Sequence, residues 1–248
     1  MTDSRPLRAI SLDYWDTIYR GAATPERVAL RRAALRRLVA GVAGDVSDAR
    51  FIEAYDASRV EAERWWREEH RGYQAAERVH WMFARLGLEP RPADCAALGQ
   101  ALAAVDDALL AHPPEPLPGA VAAVRRLAGR FRLAIVSDTG FASGDAQDRL
   151  LARDGLLDCF VTRVYSCDVG HAKPHPEPFR RAADSLGIAP GAILHVGDIE
   201  RTDVAGALAA GFRAVRIDGG EQRWGPSAAE AVVRSWGELE AYLNGGGE

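Results

Sequence analysis

Residues 12–17 read Leu12-Asp13-Tyr14-Trp15-Asp16-Thr17 and follow directly on the apolar run at 7–12. An acid at the exit of a buried strand costs free energy unless something uses its charge. A carboxylate so placed is suited to attack as a nucleophile, with a covalent intermediate. A second acid two residues later would complete a nucleophile and general-acid pair. Trp15 holds that position here, and the second acid, Asp16, comes one residue further on. Asp13 therefore argues for covalent catalysis, while Trp15 leaves the reaction type open.

The cations give the second signal. The chain carries 31 Lys and Arg side chains, and Lys173 is its one lysine. A compact ammonium on a flexible stem suits contact with a carboxylate and a phosphate oxygen together, where a guanidinium fork does not fit. Lys173 lies in His171-Ala172-Lys173-Pro174-His175-Pro176-Glu177-Pro178, a proline-stiffened loop that leads into a helix. Two further acids, Asp198 and Asp203, stand one helical turn apart in Gly197-Asp198-Ile199-Glu200-Arg201-Thr202-Asp203. Ser137 and its neighbour Asp138 follow the apolar run 133–136.

These residue types fit phosphoryl transfer. A phosphate monoester is doubly negative and repels a bare carboxylate, and magnesium held by oxygen ligands would offset that charge. Asp13 and Asp198 can supply carboxylates, and Asp203 can support the metal or its waters. Ser137 and nearby amides can hold the non-bridging oxygens, and Lys173 can neutralise developing charge.

Elements that alternate along the chain must bring these residues together. Strands are expected at 7–12, 133–136, 160–165, 193–196 and 214–217. Helices are expected at 120–127, 147–153, 178–186, 203–210 and 235–243, with a loose Gly-rich tail after them. Such alternation implies an α/β fold, a Rossmann-like parallel sheet with helices on both faces. In open parallel sheets ligands bind beyond the carboxyl ends of the strands. Asp13, Ser137, Lys173 and Asp198 all fall there. Between the first strand and the stiff linker at 112–119 the pattern is helical throughout, from the capped start Thr24-Pro25-Glu26 to residue 111. The expected division is a core of residues 1–20 and 118–248 with an all-helical insertion at 21–117.

Asp13 with Thr17, Ser137, Lys173-Pro174, and Gly197-Asp198 with Asp203 match, in order, four motifs of the haloacid dehalogenase-like hydrolases, which the sequence thus resembles over nearly its whole length. The resemblance implies that the helical insertion is that family's cap. It further implies an aspartyl-phosphate on Asp13, a magnesium ion held by Asp13, Asp198 and the Trp15 carbonyl with Asp203 close by, and substrate contacts from Thr17, Ser137 and Asp138. The family's phosphatases and mutases usually carry a second Asp where Trp15 stands. Asp16 is the candidate for a displaced acid. The alternatives are hydrolysis of a carbon–halogen or carbon–phosphorus bond, and a binding protein on a catalytically impaired fold.

The densest aromatic and cationic stretch of the insertion, Trp65 to Trp81, includes Arg67 and Arg71 as candidate substrate contacts, with a tryptophan-packed helix interface as the simpler reading. Arg31-Arg32 and Arg36-Arg37 read as solvated helix faces. A net charge of -4 gives no basic surface for nucleic acid. No apolar run approaches a membrane span. The three cysteines lack metal spacing, and the short polar N-terminus shows no signal peptide, so a cytoplasmic monomer or homodimer acting on a small phosphorylated molecule is expected.

Overall fold

The apolar runs at 9–12, 133–136, 193–196 and 214–217 become strands buried on both faces, as in a helix-covered parallel sheet, while the run at 160–165 forms a half-exposed edge. In the computed structural model, which describes residues 6–43, 46–89, 91–218 and 225–245, β1 (Ala9–Leu12) is wholly buried. Four helices follow it: α1 (Pro25–Ala43), α2 (Asp48–Arg67), α3 (Ala75–Leu86) and α4 (Cys95–Ala111). Then come α5 (Ala120–Ala128), β2 (Arg132–Ser137), α6 (Gly144–Arg153), β3 (Phe160–Tyr165), the single turn α7 (Ser166–Val169) and α8 (Pro176–Leu186). The chain closes with β4 (Ile193–Gly197), α9 (Ala205–Ala209), β5 (Arg213–Ile217), β6 (Ala231–Val233) and α10 (Trp236–Leu243). All six strands are parallel, in the order β3-β2-β1-β4-β5-β6. The chain order reverses at β1, between β2 and β4, which places the crevice for a ligand there.

Each face of the sheet has its own apolar layer. One joins Leu12, Ile135 and Val196 to α5, α6 and α10, and the other joins Ala9, Val136 and Ala214 to α8 and α9. The helical block between β1 and α5 has a third, centred on Leu35, Val39, Phe51, Met82, Phe83 and Val105. Phe141, from the loop after β2, packs into this third cluster, so the block is seated on the carboxyl end of the sheet.

Two elements differ from expectation. The helix expected from 203 begins instead as a wide turn over Glu200–Val204, in which the Ala205 N–H reaches the Glu200 carbonyl. The Asp203 carboxylate accepts the Ile199 N–H at 2.9 Å, which draws the chain into this wider loop before α9 forms. The edge strand β6 was not expected, because three residues show no periodicity that separates strand from loop. The N-terminal residues 1–5 and the Gly-rich tail from 246 lie outside the described residues. Among the described residues no helix is long and apolar enough to cross a membrane.

The closing helix anchors the site indirectly. Trp236 is almost fully buried in the first layer, and its indole N–H donates to the Thr17 carbonyl at 3.1 Å. Trp236→Ala should lower unfolding free energy by about 3–5 kcal/mol, the range for a large core aromatic, as read from urea denaturation.

Candidate functional site

The sheet delivers the acids. Asp13 follows β1 and its N–H bonds the Val196 carbonyl at 2.9 Å, so the ends of β1 and β4 are locked side by side. Asp198 directly follows β4, and Asp203 returns over Gly197. A Cβ at Gly197 would lie 2.4 Å from the Asp203 carboxyl carbon, so only glycine lets that carboxylate fold back against the strand. Asp13, Asp198 and Asp203 are all buried, and carboxylate oxygens from the three lie within 4.8 Å of one another.

Lys173 is the cation among them. It is 2% exposed, and its Nζ donates to Asp13 Oδ1 at 2.5 Å and to Asp203 Oδ1 at 2.6 Å. Thr17 donates to the other oxygen of Asp13 at 3.3 Å, so both Asp13 oxygens are held. Asp203 is the more saturated acid. Besides Lys173 and the Ile199 N–H it meets His195 Nε2 at 3.2 Å and the Thr202 hydroxyl at 3.2 Å. His195 is in turn fixed by Ser11 at 2.8 Å.

The electrostatics separate the two acids. Burial pushes the Asp13 carboxyl up to about 7, against the pull of Lys173 and with the help of the Asp203 charge. Burial also acts to raise Asp203, but Lys173 and His195 outweigh it and hold it well below the usual carboxylate range. For Lys173 burial works against the charge, and the charges of Asp13 and Asp203 overcome it and raise the ammonium above its ordinary value. The donor set is thus three hard oxygen donors with one compensating cation, which fits a divalent oxygen-loving metal.

A cavity of about 650 Å³ opens over these residues, lined by Asp13, Asp198, Asp203 and Lys173 on one side and by α1, α2 and α3 on the other. Trp15 and Asp16 reach it. The Trp15 ring packs edge-on to Tyr14 at 4.8 Å and against Leu109, Ala142 and Ala146, tying α4 to the start of α6. Asp16 adopts a left-handed backbone, φ 54°, and its Oδ1 accepts the Gly21 N–H at 2.8 Å. Asp138 also lines the cavity. Its two oxygens accept the Lys173 N–H at 3.0 Å and the Trp66 indole N–H at 2.8 Å, and burial raises its pKa against the opposing Lys173 charge. Ser137 sits beneath, buried, and donates to Gln147 Oε1 at 3.0 Å. Arg67 and Arg71 line the cavity too, but each is engaged, Arg67 with Glu63 at 2.8 Å and Arg71 with Glu77.

Several cavity residues escaped the sequence reading. Arg201 lies 4.8 Å over the Trp66 ring with both terminal nitrogens buried and unpartnered. Its place in the loop between Asp198 and Asp203 was the available signal. Arg31 corrects an expectation. It lines the cavity, whereas Arg32 pairs with Asp56 at 2.6 Å and Arg36 with Asp48 at 2.8 Å. Helical neighbours point about 100° apart, so one of an adjacent pair can face inward while the other stays solvated. Trp65 and Trp66 divide in the same way. Trp65 packs on Tyr73, ring centroids 5.3 Å apart, and Trp66 faces the cavity.

The lysine loop is also stitched to the helical block. The Ala172 N–H donates to the His70 carbonyl at 2.8 Å and the Gly72 N–H to the Gly170 carbonyl at 3.1 Å. A Cβ at Gly72 would lie 1.9 Å from the Ser166 carbonyl oxygen, so this approach requires glycine.

Comparison with known proteins agrees with this geometry. The family described as haloacid dehalogenase-like hydrolase matches residues 7–211. The chain is 30% identical over 219 residues to the glyceraldehyde 3-phosphate phosphatase of Methanopyrus kandleri, covering 87% of this chain and 85% of that protein. The 2-haloacid dehalogenase from Pseudomonas syringae pv. tomato has the same fold, with a TM-score of 0.67, 24% identity, and coverage of 96% of this chain and 98% of that one. So does the putative HAD-hydrolase YfnB from Bacillus subtilis, solved with magnesium, with a TM-score of 0.61, 20% identity, and coverage of 97% and 100%.

Removing the ammonium leaves buried carboxylates uncompensated. Lys173→Met should destabilise the metal-free protein by about 3–5 kcal/mol, measured by urea unfolding in chelator. Wild-type stability in that variant would show that the Lys173 contacts hold no net charge in place.

Proposed function

The chain belongs to the haloacid dehalogenase-like hydrolases, and on that premise we propose that it is a magnesium-dependent phosphatase of a small phosphorylated metabolite that works through an aspartyl-phosphate on Asp13. That it is a hydrolase with phosphatase relatives follows from the family and from the Methanopyrus kandleri protein. The finer reading rests on one observation: Asp13, gripped by Lys173 and Thr17, lies on the cavity floor with Asp198 and Asp203 converging beside it. Asp13, Asp198 and the Trp15 carbonyl would hold the metal, with Asp203 behind them. Asp203 spends its oxygens on Lys173, His195, Thr202 and Ile199, so its role is to position Lys173 and close the ligand set. Magnesium would supply the positive charge that lets a dianionic ester approach a carboxylate. The magnesium bound in the YfnB structure supports this choice of ion.

The steps then fall to residues of this chain. A carboxylate oxygen of Asp13 attacks phosphorus and the ester oxygen leaves. Lys173 balances charge on the transferring group, and the backbone at Ser137 and Asp138, beyond β2, orients its oxygens. Water attacks the aspartyl-phosphate and frees Asp13. The division into a core of 1–20 and 118–248 and a cap of 21–117 belongs to the same reading, with Arg67 and Arg71 on the cap side of the cavity. So does a cytoplasmic setting, which suits three free cysteines.

Trp15 cannot protonate the leaving oxygen, and Asp16 is the acid proposed to do so. Its Oδ1 is spent on Gly21, which leaves Oδ2 for the proton. Asp16→Asn isolates that role, since asparagine keeps an acceptor for the Gly21 N–H and tolerates the left-handed backbone. It should slow alkyl phosphates about 10²–10⁴-fold while sparing p-nitrophenyl phosphate, whose leaving group needs no acid. Equal slowing of both substrates would reduce Asp16 to a turn residue.

A phosphate-release screen over phosphorylated metabolites, with and without magnesium, tests the whole proposal. Magnesium-dependent release that vanishes in Asp13→Asn is the expected result. Metal-independent halide release from 2-haloacids, with no phosphate release, would replace it by the carbon–halogen alternative.

Metal loading should also depend on pH. Asp13 is protonated below about 7 in the metal-free protein and must ionise to bind a cation. Magnesium affinity should therefore rise by about tenfold per pH unit up to that value and level off above it, as followed by calorimetric titration from pH 5.5 to 8.5. A flat profile would mean that Asp13 is already ionised without metal.

A further inference from the structure

The cavity is polarised. Its floor carries the carboxylates, and its roof on the helical block carries arginines. Some roof arginines are balanced: Glu63 takes Arg67 at 2.8 Å and Arg59 at 3.9 Å, and Glu77 takes Arg71. Three others are not. Arg27 and Arg31 of α1 and Arg78 of α3 line the same cavity, and among the described residues none of them forms an ion pair with a carboxylate. Arg27 is buried, its guanidinium donates to the Ala22 carbonyl, and its Nε is buried without a partner. Arg31 has a buried Nε without a partner as well. Arg78 is buried, gives Nε–H to the Ser58 hydroxyl at 3.1 Å, and lies 4.0 Å over the Phe141 ring.

Arg31 feels the other two charges. Burial, then the neighbouring charges of Arg27 and Arg78, act to depress Arg31, while Tyr55 and Asp106 act in the opposite direction. Asp106 acts on Arg31 only from a distance: it forms no ion pair with it among the described residues, and its oxygens accept the Ser143 N–H at 2.9 Å and the Ser143 hydroxyl at 2.6 Å. Clustered cations withdrawn from water without an ion-pair partner are costly, and an anion in the cavity would offset that cost with charge-assisted hydrogen bonds. A phosphate seated on Asp13 already has Lys173 beside it, whereas Arg27, Arg31 and Arg78 are supplied to the cavity by α1 and α3 of the helical block.

We propose that Arg31, with Arg27 and Arg78, receives a second anionic group, so that the substrate is a phosphate monoester carrying a carboxylate or another phosphate at its far end. The inference rests on the phosphatase reading for what happens at Asp13, but binding tests it separately. The probes are ω-phosphonocarboxylates of two to six carbons, alkane bisphosphonates of the same lengths, and alkylphosphonates matched to each. They are titrated calorimetrically into the full-length protein with magnesium.

At one chain length the doubly anionic probe should bind at least about tenfold more tightly than its matched alkylphosphonate, the gain expected of one charge-assisted contact. The carboxylate and phosphonate series then decide which anion the roof takes. Arg31→Gln should bring that ratio to within about twofold of one, and Arg31→Lys, which keeps the charge, should recover part of it. Equal affinities at every length in the wild type would overturn the proposal. So would an unchanged ratio in an Arg31→Gln protein that melts like the wild type. Turnover of p-nitrophenyl phosphate by the same preparation reports on the phosphatase alone. If it is absent while the preference persists, that reading fails and the second-anion site stands.

Discussion

One ammonium shared by two carboxylates constrains the rest of this structure. Lys173 holds Asp13 and Asp203 at 2.5 and 2.6 Å in a place almost closed to solvent. Desolvating such charges costs several kcal/mol per ion unless contacts are close and every remaining lone pair is satisfied. The surroundings meet that condition. Thr17 takes the second oxygen of Asp13, and His195, Thr202 and the Ile199 N–H take what Lys173 leaves of Asp203. Gly197 is required because any side chain there would occupy the space of the Asp203 carboxylate. The wide turn at Glu200–Val204 is the backbone form that lets Asp203 reach back. The cluster remains negative overall even so, and that excess of hard oxygen donors is what makes a divalent cation its natural complement.

The same lysine joins the two halves of the cavity. Its backbone N–H binds Asp138, Asp138 binds the Trp66 indole, and the Trp66 ring lies under Arg201 from the loop that carries Asp203. The residues just before Lys173 are hydrogen-bonded to the turn between α2 and α3. Shifting α2 and α3 away from the sheet would break these bonds beside the lysine that holds Asp13. The position of the helical block and the arrangement of the floor are therefore energetically coupled. Excluding water above Asp13 strengthens every charge interaction beneath it.

Much of this was legible in the sequence, and the boundary between what was and was not is physical. The floor could be read because Asp13, Ser137 and Asp198 each close an apolar run, and a parallel sheet gathers such exits on one edge. The lysine could be read because it stands alone among arginines. The roof could not be read, because it depends on the rotation of helices whose polar residues are nearly all arginine. Arg31 and Arg32 differ by one position and have opposite fates, as do Trp65 and Trp66. Nothing in the local pattern separates them, since the decision lies in how α1 packs on α4 and α2 on α3. Arg201 was hidden between two acids that drew the attention, and β6 was too short to show a period.

Trp15 shows how packing and chemistry compete for one position. A carboxyl at that point would stand two residues from Asp13. The indole instead fills the seam between Leu109 of the helical block and Ala142 and Ala146 at the start of α6, where an aromatic ring adds apolar contact and an edge-on partner in Tyr14. Replacing the ring with an acid would open that seam and place a charge against alanines, so the usual arrangement is not one substitution away. The next residue is where acidity can return. The left-handed turn at Asp16 swings its side chain to the cavity, and its bond to the Gly21 N–H fixes the turn. In the proposed reading, an acid displaced by one residue reaches the cavity only because the backbone reverses there, so the Asp16 role stands or falls with that turn.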